Sequence, residues 1–157
     1  MIFQVDNKNV FASDSGQGID KKKTTIVLLH GSGLSHIVWS LTEQYLSNQN
    51  YNILAIDLPG HGNSEGKSLR SIEEISDWLD KAFDVLNISN ITIIGHSQGC
   101  LEALEYCSKY SKRVKRVVFV GGSYVGVHLQ VSWEYVTTLV YIYIGEVTLC
   151  YVSLLYG

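Results

Sequence analysis

Ser97 lies at the centre of a pentapeptide framed by glycines, Gly95-His96-Ser97-Gln98-Gly99. The apolar run Ile91-Thr92-Ile93-Ile94 directly precedes this pentapeptide, and a stretch with helical patterning follows it. A serine at such a strand-to-helix corner is typical of a nucleophile elbow, in which a strained turn exposes the hydroxyl group. The chemistry would be attack of the serine oxygen on an electrophilic carbon. That reaction needs a histidine and an acid to activate the serine.

The same spacing occurs a second time, in Gly62-Asn63-Ser64-Glu65-Gly66. This copy follows the turn-forming Leu58-Pro59-Gly60-His61 and precedes the polar pair Lys67-Ser68. It therefore lacks both the strand and the abrupt helix that would strain the turn. The context favours Ser97 over Ser64 as the nucleophile.

Four apolar runs predict the strands that would position the elbow. They lie at residues 25–29, 53–56, 91–94 and 117–120. Continuous apolar runs are typical of strands that are buried on both faces of a parallel sheet. Upstream, Ile2 to Val5 and Val10 to Ala12 flank the turn-rich residues 6–9, and this arrangement predicts a hairpin.

Helical patterns lie between these strands. The clearest has three-and-four spacing of apolar residues from Ile72 to Leu86, behind a capping box of Ser71 and Glu74. Shorter helices are predicted from two further apolar sets, which are Trp39, Leu41, Tyr45 and Leu46, and then Leu101, Leu104 and Cys107. Strands that alternate with helices predict an α/β fold. We expect a mostly parallel sheet of about six strands with helices on both faces.

Length and charge restrict the function classes. A chain of 157 residues fits one domain, and its net charge of −3, with scattered basic residues, gives no electrostatic footprint for nucleic acid. The first ten residues have no basic segment and no sustained apolar run, so we expect no secretory signal. We therefore expect no nucleic-acid partner.

The three cysteines indicate a reducing environment. Cys100 and Cys107 are seven residues apart on the helix after Ser97, so they share one face and are expected to be buried and reduced. With Cys150 they form an odd set without metal-ligand spacing. We therefore expect no metal, no cofactor and a cytoplasmic location.

The composition changes near residue 125. Beyond it the only charged residues are Glu134 and Glu146, tyrosine and valine are dense, and no strand-helix unit is recognisable. We therefore divide the chain into a core at residues 1–124 and an atypical hydrophobic tail at residues 125–157.

Three motifs occur in order at the ends of the predicted strands. His30-Gly31-Ser32-Gly33 ends the first buried strand, the segment DLPGHGNS at residues 57–64 ends the second, and the elbow ends the third. In this order the motifs resemble those of the α/β-hydrolase superfamily, in the branch whose oxyanion loop begins with His-Gly. The similarity covers roughly residues 1–124 and corresponds to the N-terminal part of that fold.

The resemblance implies roles for individual residues. Ser97 would be the nucleophile, and the backbone N–H groups of Gln98 and Ser32 would stabilise the negative oxygen of the tetrahedral intermediate. Small residues at Gly31 and Gly33 would let the backbone approach the substrate. The substrate implied is a small ester, thioester or related acyl compound.

Structural roles compete with these assignments. Ser97 could be an ordinary helix N-cap. The loop histidines His30, His61 and His96 are better explained as hydrogen-bonded scaffold residues than as a base. Asp57 is expected to organise the turn through Pro59 and Gly60, with unusual backbone angles at Gly60 and Gly62; Gly95 and Gly99 complete the set of structural glycines.

The triad partners of Ser97 are not evident. In the family the acid follows the nucleophile and the histidine comes last. After Ser97 the sequence has one histidine, His128, which precedes both Glu134 and Glu146. The strands whose loops would carry the acid and the histidine have no counterpart, so the chain looks truncated and we expect its activity to be impaired.

Three interpretations of the tail remain. Residues 136–144 and 147–155 could form a hairpin around Gly145-Glu146 that caps the edge of the sheet. Residues 139–155 could instead enter a membrane, although Glu146 lies near the middle of that short segment. The interpretation we favour is that residues beyond about 124 are a foreign end, such as the product of a frameshift or a retained intron.

Three function hypotheses follow. The first is a cofactor-independent serine hydrolase that uses Ser97. The second is a non-catalytic remnant or binding module of the same fold, since a fold does not fix a function. The third is a protein associated with a membrane through residues 136–157.

Overall fold

The structure, a computed structural model, describes residues 1–122 together with strands at residues 138–144 and 147–153. Eight strands form one sheet in the order β1-β2-β4-β3-β5-β6-β8-β7. The strands are β1 (Ile2–Val5), β2 (Lys8–Ser13), β3 (Thr25–Leu29), β4 (Asn52–Ile56), β5 (Ile91–His96), β6 (Val114–Val120), β7 (Thr138–Ile144) and β8 (Val147–Ser153). The helices are α1 (Ser40–Ser47), α2 (Ile72–Leu86) and α3 (Gln98–Lys109).

The predicted N-terminal hairpin is present as β1 and β2. Both turn residues adopt positive φ, 49° at Asp6 and 60° at Asn7. A two-residue turn of this kind matches the twist of antiparallel strands, and aspartate and asparagine tolerate its backbone angles. Strand β2 then pairs antiparallel with β4 at the edge of the parallel strands.

Strand β3 lies at the centre of the parallel strands. It pairs with β4 on one side and with β5 on the other, and β5 pairs with β6. All five residues of β3 and all five of β4 are buried. The continuous apolar runs therefore correspond to strands that are covered on both faces, as predicted.

Alternate residues of these strands face two separate cores. Val27 and Leu29 belong to the larger core, which includes the apolar faces of α2 and α3. Ile26 and Leu28 belong to the smaller core, which includes Trp39 ahead of α1. Because successive side chains of a strand point to opposite faces, the helices cover both faces of the sheet, as predicted.

Helix α2 has the predicted N-terminus with one difference. The Ser71 hydroxyl accepts a hydrogen bond from the Glu74 N–H at 3.2 Å. The Glu74 carboxylate accepts from the N–H of Arg70 at 2.9 Å instead of from that of Ser71. In a standard capping box the glutamate accepts from the N-cap N–H, whereas here it accepts from the N–H of the residue before the N-cap.

The predicted short helix is present as α1, but its apolar residues do not share one buried face. Leu41 is 83% exposed and Tyr45 is 70% exposed, whereas Trp39 is buried in a short 3-10 helix (His36–Trp39). A tight turn precedes the helix proper and rotates the apolar residues relative to one continuous helix. Leu41 and Tyr45 therefore face solvent in the part of the chain that the structure describes.

Strands β1 to β6 are the six strands expected of residues 1–124, and β7 and β8 of the tail extend the same sheet. They pair antiparallel with each other, and β8 pairs antiparallel with β6. This agrees with the hairpin interpretation of the tail, while the Gly145-Glu146 turn lies outside the described residues. The origin of the tail as a foreign end stays a prediction.

Cys100 and Cys107 are both buried, as their spacing predicts, and Cys107 carries a free thiol. Burial raises the pKa of the Cys107 thiol to about 11, so this thiol is inert near neutral pH. Among the described helices, none combines the length and the apolar character that crossing a membrane requires.

Candidate active site

Ser97 occupies a strained backbone position between β5 and α3. Its φ is 54° and its ψ is −117°, a conformation that residues with a side chain rarely adopt. Its N–H donates to the carbonyl of Val120 at 3.0 Å, which holds the corner against β6. The chain therefore turns from strand into helix within one residue.

Crowding explains the two glycines that frame Ser97. A Cβ atom on Gly95 would collide with the backbone carbonyl of Gly99. A Cβ atom on Gly99 would lie 2.6 Å from the carbonyl oxygen of Leu29. Helix α3 can pack this closely against β3 and β5 only because both positions lack a side chain.

The hydroxyl groups of Ser97 and Ser64 have opposite environments. Ser97 is exposed, and its side chain makes no capping hydrogen bond to α3. The Ser64 hydroxyl donates to the carbonyl of Asp57 at 2.7 Å and accepts from the N–H of Phe11 at 2.9 Å. Ser97 is therefore not an ordinary N-cap, and Ser64 is a structural serine.

The loop after β3 forms a tight turn beside Ser97. The Leu34 N–H donates to the Gly31 carbonyl at 3.2 Å, and Gly33 has a φ of 68°. A positive φ at the third residue is characteristic of a type II turn. Gly31 lies against the elbow, because a Cβ on it would be 3.0 Å from the Ser97 Cβ.

The two expected backbone donors, Gln98 and Ser32, lie in segments that meet at the elbow. Gln98 is the first residue of α3, and its N–H has no acceptor within the helix because the first turn lacks preceding carbonyls. Ser32 is an exposed residue in the turn that faces the elbow. The positive end of the α3 dipole also lies at this corner, so negative charge is favoured there.

His30 ties the turn to the end of β4. The backbone N–H of Leu58 donates to its Nε2 at 3.2 Å, so Nε2 carries no proton and Nδ1–H donates to the Gly31 carbonyl at 2.8 Å. The ring is 1% exposed, and burial lowers the pKa of His30. A neutral ring with both nitrogens occupied is a scaffold, not a base.

Asp57 joins two loops through His36, a residue that the sequence analysis did not identify. The buried Asp57 carboxylate accepts from the His36 N–H at 2.6 Å, from the His36 ring at 2.9 Å, and from the Asn63 N–H at 2.9 Å. The expected turn around Pro59 is thus organised by a carboxylate that also binds the loop after β3. Position along the chain gives no signal for this contact.

Gly60 and Gly62 have the unusual angles expected of them. Gly60 has a φ of 73°, and a Cβ on it would lie 2.6 Å from the backbone nitrogen of Ser68. Gly62 has a φ of 51°, and a Cβ on it would collide with the carboxylate of Asp57. The close approach at Gly62 is what allows Asn63 to donate to that carboxylate.

His61 and His96, the remaining histidines of the described loops, contact residues around the site. His61 Nδ1 lies 3.0 Å from the Pro59 carbonyl. His96 packs edge-on to Trp39, with ring centroids 6.2 Å apart, and its Nδ1 is buried without a hydrogen-bond partner among the described residues. His128, Glu134 and Glu146 lie outside the described residues.

Glu102 is a second polar residue that the sequence analysis missed. It lies one turn after Gln98 on α3 and is fully buried, with 0% exposure. The Gln98 side-chain amide donates to its Oε1 at 3.0 Å. Burial raises the pKa of Glu102 to about 7. A helical glutamate is ordinarily exposed, so periodicity gave no reason to single it out.

The topology explains why these loops meet. The chain leaves β3 towards β4 on one side and then crosses to β5 on the other side of β3. Loops at the carboxyl ends of two such strands diverge and leave a crevice, where ligands bind in open α/β sheets. The Gly31–Gly33 turn and the elbow at Ser97 are the loops at this point. Within the described residues, no cluster of His, Cys, Asp and Glu side chains is placed to hold a metal ion.

Comparison with known proteins agrees with this architecture. The chain is 27% identical over 124 residues to the (E)-2-((N-methylformamido)methylene)succinate hydrolase of Acinetobacter baylyi, covering 78% of this chain and 45% of that protein. It is 32% identical over 124 residues to the 2-hydroxy-6-oxononadienedioate/2-hydroxy-6-oxononatrienedioate hydrolase of Escherichia coli, covering 74% of this chain and 41% of that protein. The chain thus spans less than half the length of these relatives.

A solved structure from work on carboxylesterases of the thaumarchaeon Nitrososphaera gargenis is similar in fold. It superposes with a TM-score of 0.67 at 25% identity, covering 78% of this chain and 46% of that one. A model of the alpha/beta hydrolase fold family matches residues 24–144. This chain belongs to the alpha/beta hydrolase fold family.

Proposed function

We propose that this chain carries the nucleophilic half of a serine hydrolase site that acts on a small ester or related acyl substrate. The observation that supports it most is the strained, uncapped and exposed Ser97 at the start of α3. Family membership supports hydrolysis, and the carboxylesterase likeness supports an ester as the substrate class. No cofactor is needed for this chemistry.

In the proposed reaction, the Ser97 oxygen attacks the carbonyl carbon of the ester. The carbonyl oxygen becomes an anion, and the backbone N–H groups of Gln98 and Ser32 stabilise it. The oxyanion then collapses to a carbonyl as the ester C–O bond breaks, and the departing alkoxide takes the serine proton and leaves as the alcohol. Water then attacks the acyl-Ser97 ester, which gives the carboxylic acid and the free serine. Preorganised donors of this kind are worth about 3 to 4 kcal/mol each when one is removed from an enzyme.

The proposal includes impaired turnover. A serine hydroxyl is a weak nucleophile until a base takes its proton. Three described histidines contact the loops of the site through a ring nitrogen: His30 contacts Gly31, His36 contacts Asp57 and His61 contacts Pro59. In subtilisin, removal of the catalytic histidine lowers kcat on the order of a million-fold, while the oxyanion donors retain some rate above that of water.

A fluorescent fluorophosphonate, which phosphonylates activated serines, tests the proposal. We expect slow, stoichiometric labelling of Ser97 that the Ser97→Ala variant abolishes. Labelling as fast as that of a complete serine hydrolase would contradict the impairment. A signal that persists unchanged in Ser97→Ala would show that Ser97 is not the nucleophile.

A binding module is the second candidate, and it is favoured by the committed histidines around the crevice. Such a protein would retain the pocket and bind an acyl compound without reacting. Ser97→Ala separates the two functions, because a binding module keeps its ligand affinity whereas an enzyme loses its labelling. The buried free thiol of Cys107 fits a reducing compartment, and we propose a cytoplasmic location on that basis.

A further inference from the structure

The buried carboxyl group of Glu102 has no obvious structural purpose. It lies within α3, four residues after Gln98, and is fully shielded from solvent. Its Oε1 accepts the 3.0 Å hydrogen bond from the Gln98 amide. Its Oε2 is buried without a hydrogen-bond partner in the described part of the chain. Buried polar atoms are nearly always hydrogen-bonded, so this exception calls for an explanation.

An apolar residue at position 102 would make the folded chain more stable than glutamate does. Removing a carboxyl group from water costs free energy unless the group is paired or stays neutral. Burial raises the pKa of Glu102 to about 7, and the hydrogen bond from Gln98 opposes that rise only in part. The fold therefore tolerates an unfavourable group one turn from the elbow. Such violations of local rules concentrate at functional sites.

Among residues 1–122, no ion pair involves Glu102. Helices α2 and α3 run side by side, and Tyr106 on α3 donates to Asp80 on α2 at 2.9 Å. One turn earlier on each helix lie Glu102 and Ser76, whose hydroxyl is also buried without a partner among the described residues. The adjacent Asp77 is bound to Lys109 at 3.0 Å. In the described part of the chain, the Gln98 side chain donates the hydrogen bond that the Glu102 carboxyl group accepts.

Gln98 carries the backbone N–H that stands next to Ser97. A side-chain contact between residues four apart on a helix holds the first turn in helical geometry. We propose that Glu102 is a positioning residue of the elbow, and that its buried carboxyl anchors the Gln98 side chain and so fixes the direction of the Gln98 N–H. This inference rests on the proposed function, in which that N–H stabilises the oxyanion.

Matched variants separate positioning from simple packing. Glu102→Gln keeps an acceptor oxygen for the Gln98 amide, whereas Glu102→Met has similar length and no comparable acceptor. Gln98→Met removes the donor from the other side. Glu105→Gln is the control, because Glu105 lies on the same helix, is 30% exposed and pairs with Lys109 at 3.6 Å.

Two measurements test the proposal on the full chain. The first is the rate of Ser97 labelling by a fluorophosphonate, with cooperative thermal unfolding as the check on folding. We expect Glu102→Met and Gln98→Met each to slow labelling about tenfold, a part of the roughly hundredfold loss that removing an oxyanion donor causes. Glu102→Gln should restore most of the rate, and the double Met variant should be no slower than either single variant.

The second measurement is the 15N-1H spectrum of the backbone amides of Ser97 and Gln98. Glu102→Met should shift both resonances, and Glu102→Gln should shift them little. Unchanged resonances in Glu102→Met, or additive losses in the double variant, would overturn the positioning role. If the resonances shift but wild-type Ser97 never labels, the positioning of the elbow stands and the proposed hydrolase function fails. If Glu102→Met does not fold, Gln98→Met decides by the same two criteria.

Discussion

Gly31 lies directly against Ser97, and a Cβ atom on Gly31 would be 3.0 Å from the Cβ of Ser97. The same added atom would lie 3.2 Å from Nδ1 and 3.3 Å from the backbone oxygen of His96. Contacts at these distances require the neighbours to move by a few tenths of an ångström. Because the neighbours are the elbow itself, the close packing at Gly31 positions the turn after β3 and Ser97 relative to each other.

Gly31→Ala should therefore slow the labelling of Ser97 by a fluorophosphonate about tenfold to a hundredfold, since misplacement by about 1 Å has effects of that size. The loop can shift away from the elbow, so the unfolding free energy should fall by only about 1 to 3 kcal/mol. Labelling rates and urea unfolding measured on the same preparation give both quantities.

Gly16→Ala is the control for this substitution. Gly16 has a φ of 70°, so alanine is strained there, but a Cβ atom would meet nothing within 4 Å. The free energy of unfolding of the variant should fall by about 1 to 2 kcal/mol because of the strained alanine backbone, and Ser97 should label at the wild-type rate. Equal labelling losses in both variants would mean that Gly31 acts through general stability.

Ser64→Ala should have the opposite effects to Ser97→Ala. The Ser64 hydroxyl satisfies the Phe11 N–H and the Asp57 carbonyl, so its removal should lower the unfolding free energy by about 1 to 3 kcal/mol while labelling continues. The exposed Ser97 hydroxyl makes no cap bond, so Ser97→Ala should abolish labelling at little cost in stability. Urea unfolding and probe labelling of the two variants measure both effects, and loss of labelling in Ser64→Ala with labelling retained in Ser97→Ala would contradict the prediction.

Ser97→Gly should be more stable than Ser97→Ala by about 1 kcal/mol. The backbone conformation with φ of 54° and ψ of −117° is strained for alanine and accessible to glycine. The greater freedom of glycine in the unfolded chain offsets part of this gain. Denaturant unfolding of both variants measures the difference, and an alanine variant that is the more stable would show that the elbow stores no strain.

The parallel part of the fold was predictable because burial on both faces leaves a direct trace in the sequence. Strands β3, β4 and β5 match uninterrupted apolar runs, and the glycine spacing marks the corner at Ser97. The prediction failed where one short element changes the phase of a pattern. The 3-10 helix that buries Trp39 leaves Leu41 exposed, although their spacing suits a single apolar face.

The contacts that hold the site together were not predictable from spacing. His36 and Asp57 are 21 residues apart and meet only because β3 and β4 end side by side. Glu102 has the sequence context of an exposed helical residue, and only the packing of α2 against α3 makes it buried. The hydrophobic pattern of the sequence predicts which strands are buried, but it does not predict which loops contact each other.

Glu102→Gln tests the burial of that carboxyl through the pH dependence of stability. In the folded chain the pKa of Glu102 is raised to about 7 from its ordinary value of 4.5. Below the ordinary value both the folded and the unfolded state hold the proton, so the titration contributes no penalty. As the pH rises towards 7, the unfolded chain releases the proton and the folded chain retains it. Stability therefore falls across this window and stays lower above it.

The difference between the unfolding free energies of Glu102→Gln and wild type should thus increase by about 3 kcal/mol between about pH 4 and about pH 8.5. His30, whose pKa burial lowers, opposes this trend in each protein, but it is present in both and cancels in the difference. Urea unfolding of the variant and of wild type at a series of pH values measures the curve. A flat difference for Glu102→Gln would mean that the carboxyl is solvated or ionised within the folded chain, and the case for its anchoring of Gln98 as a buried group would fail with it.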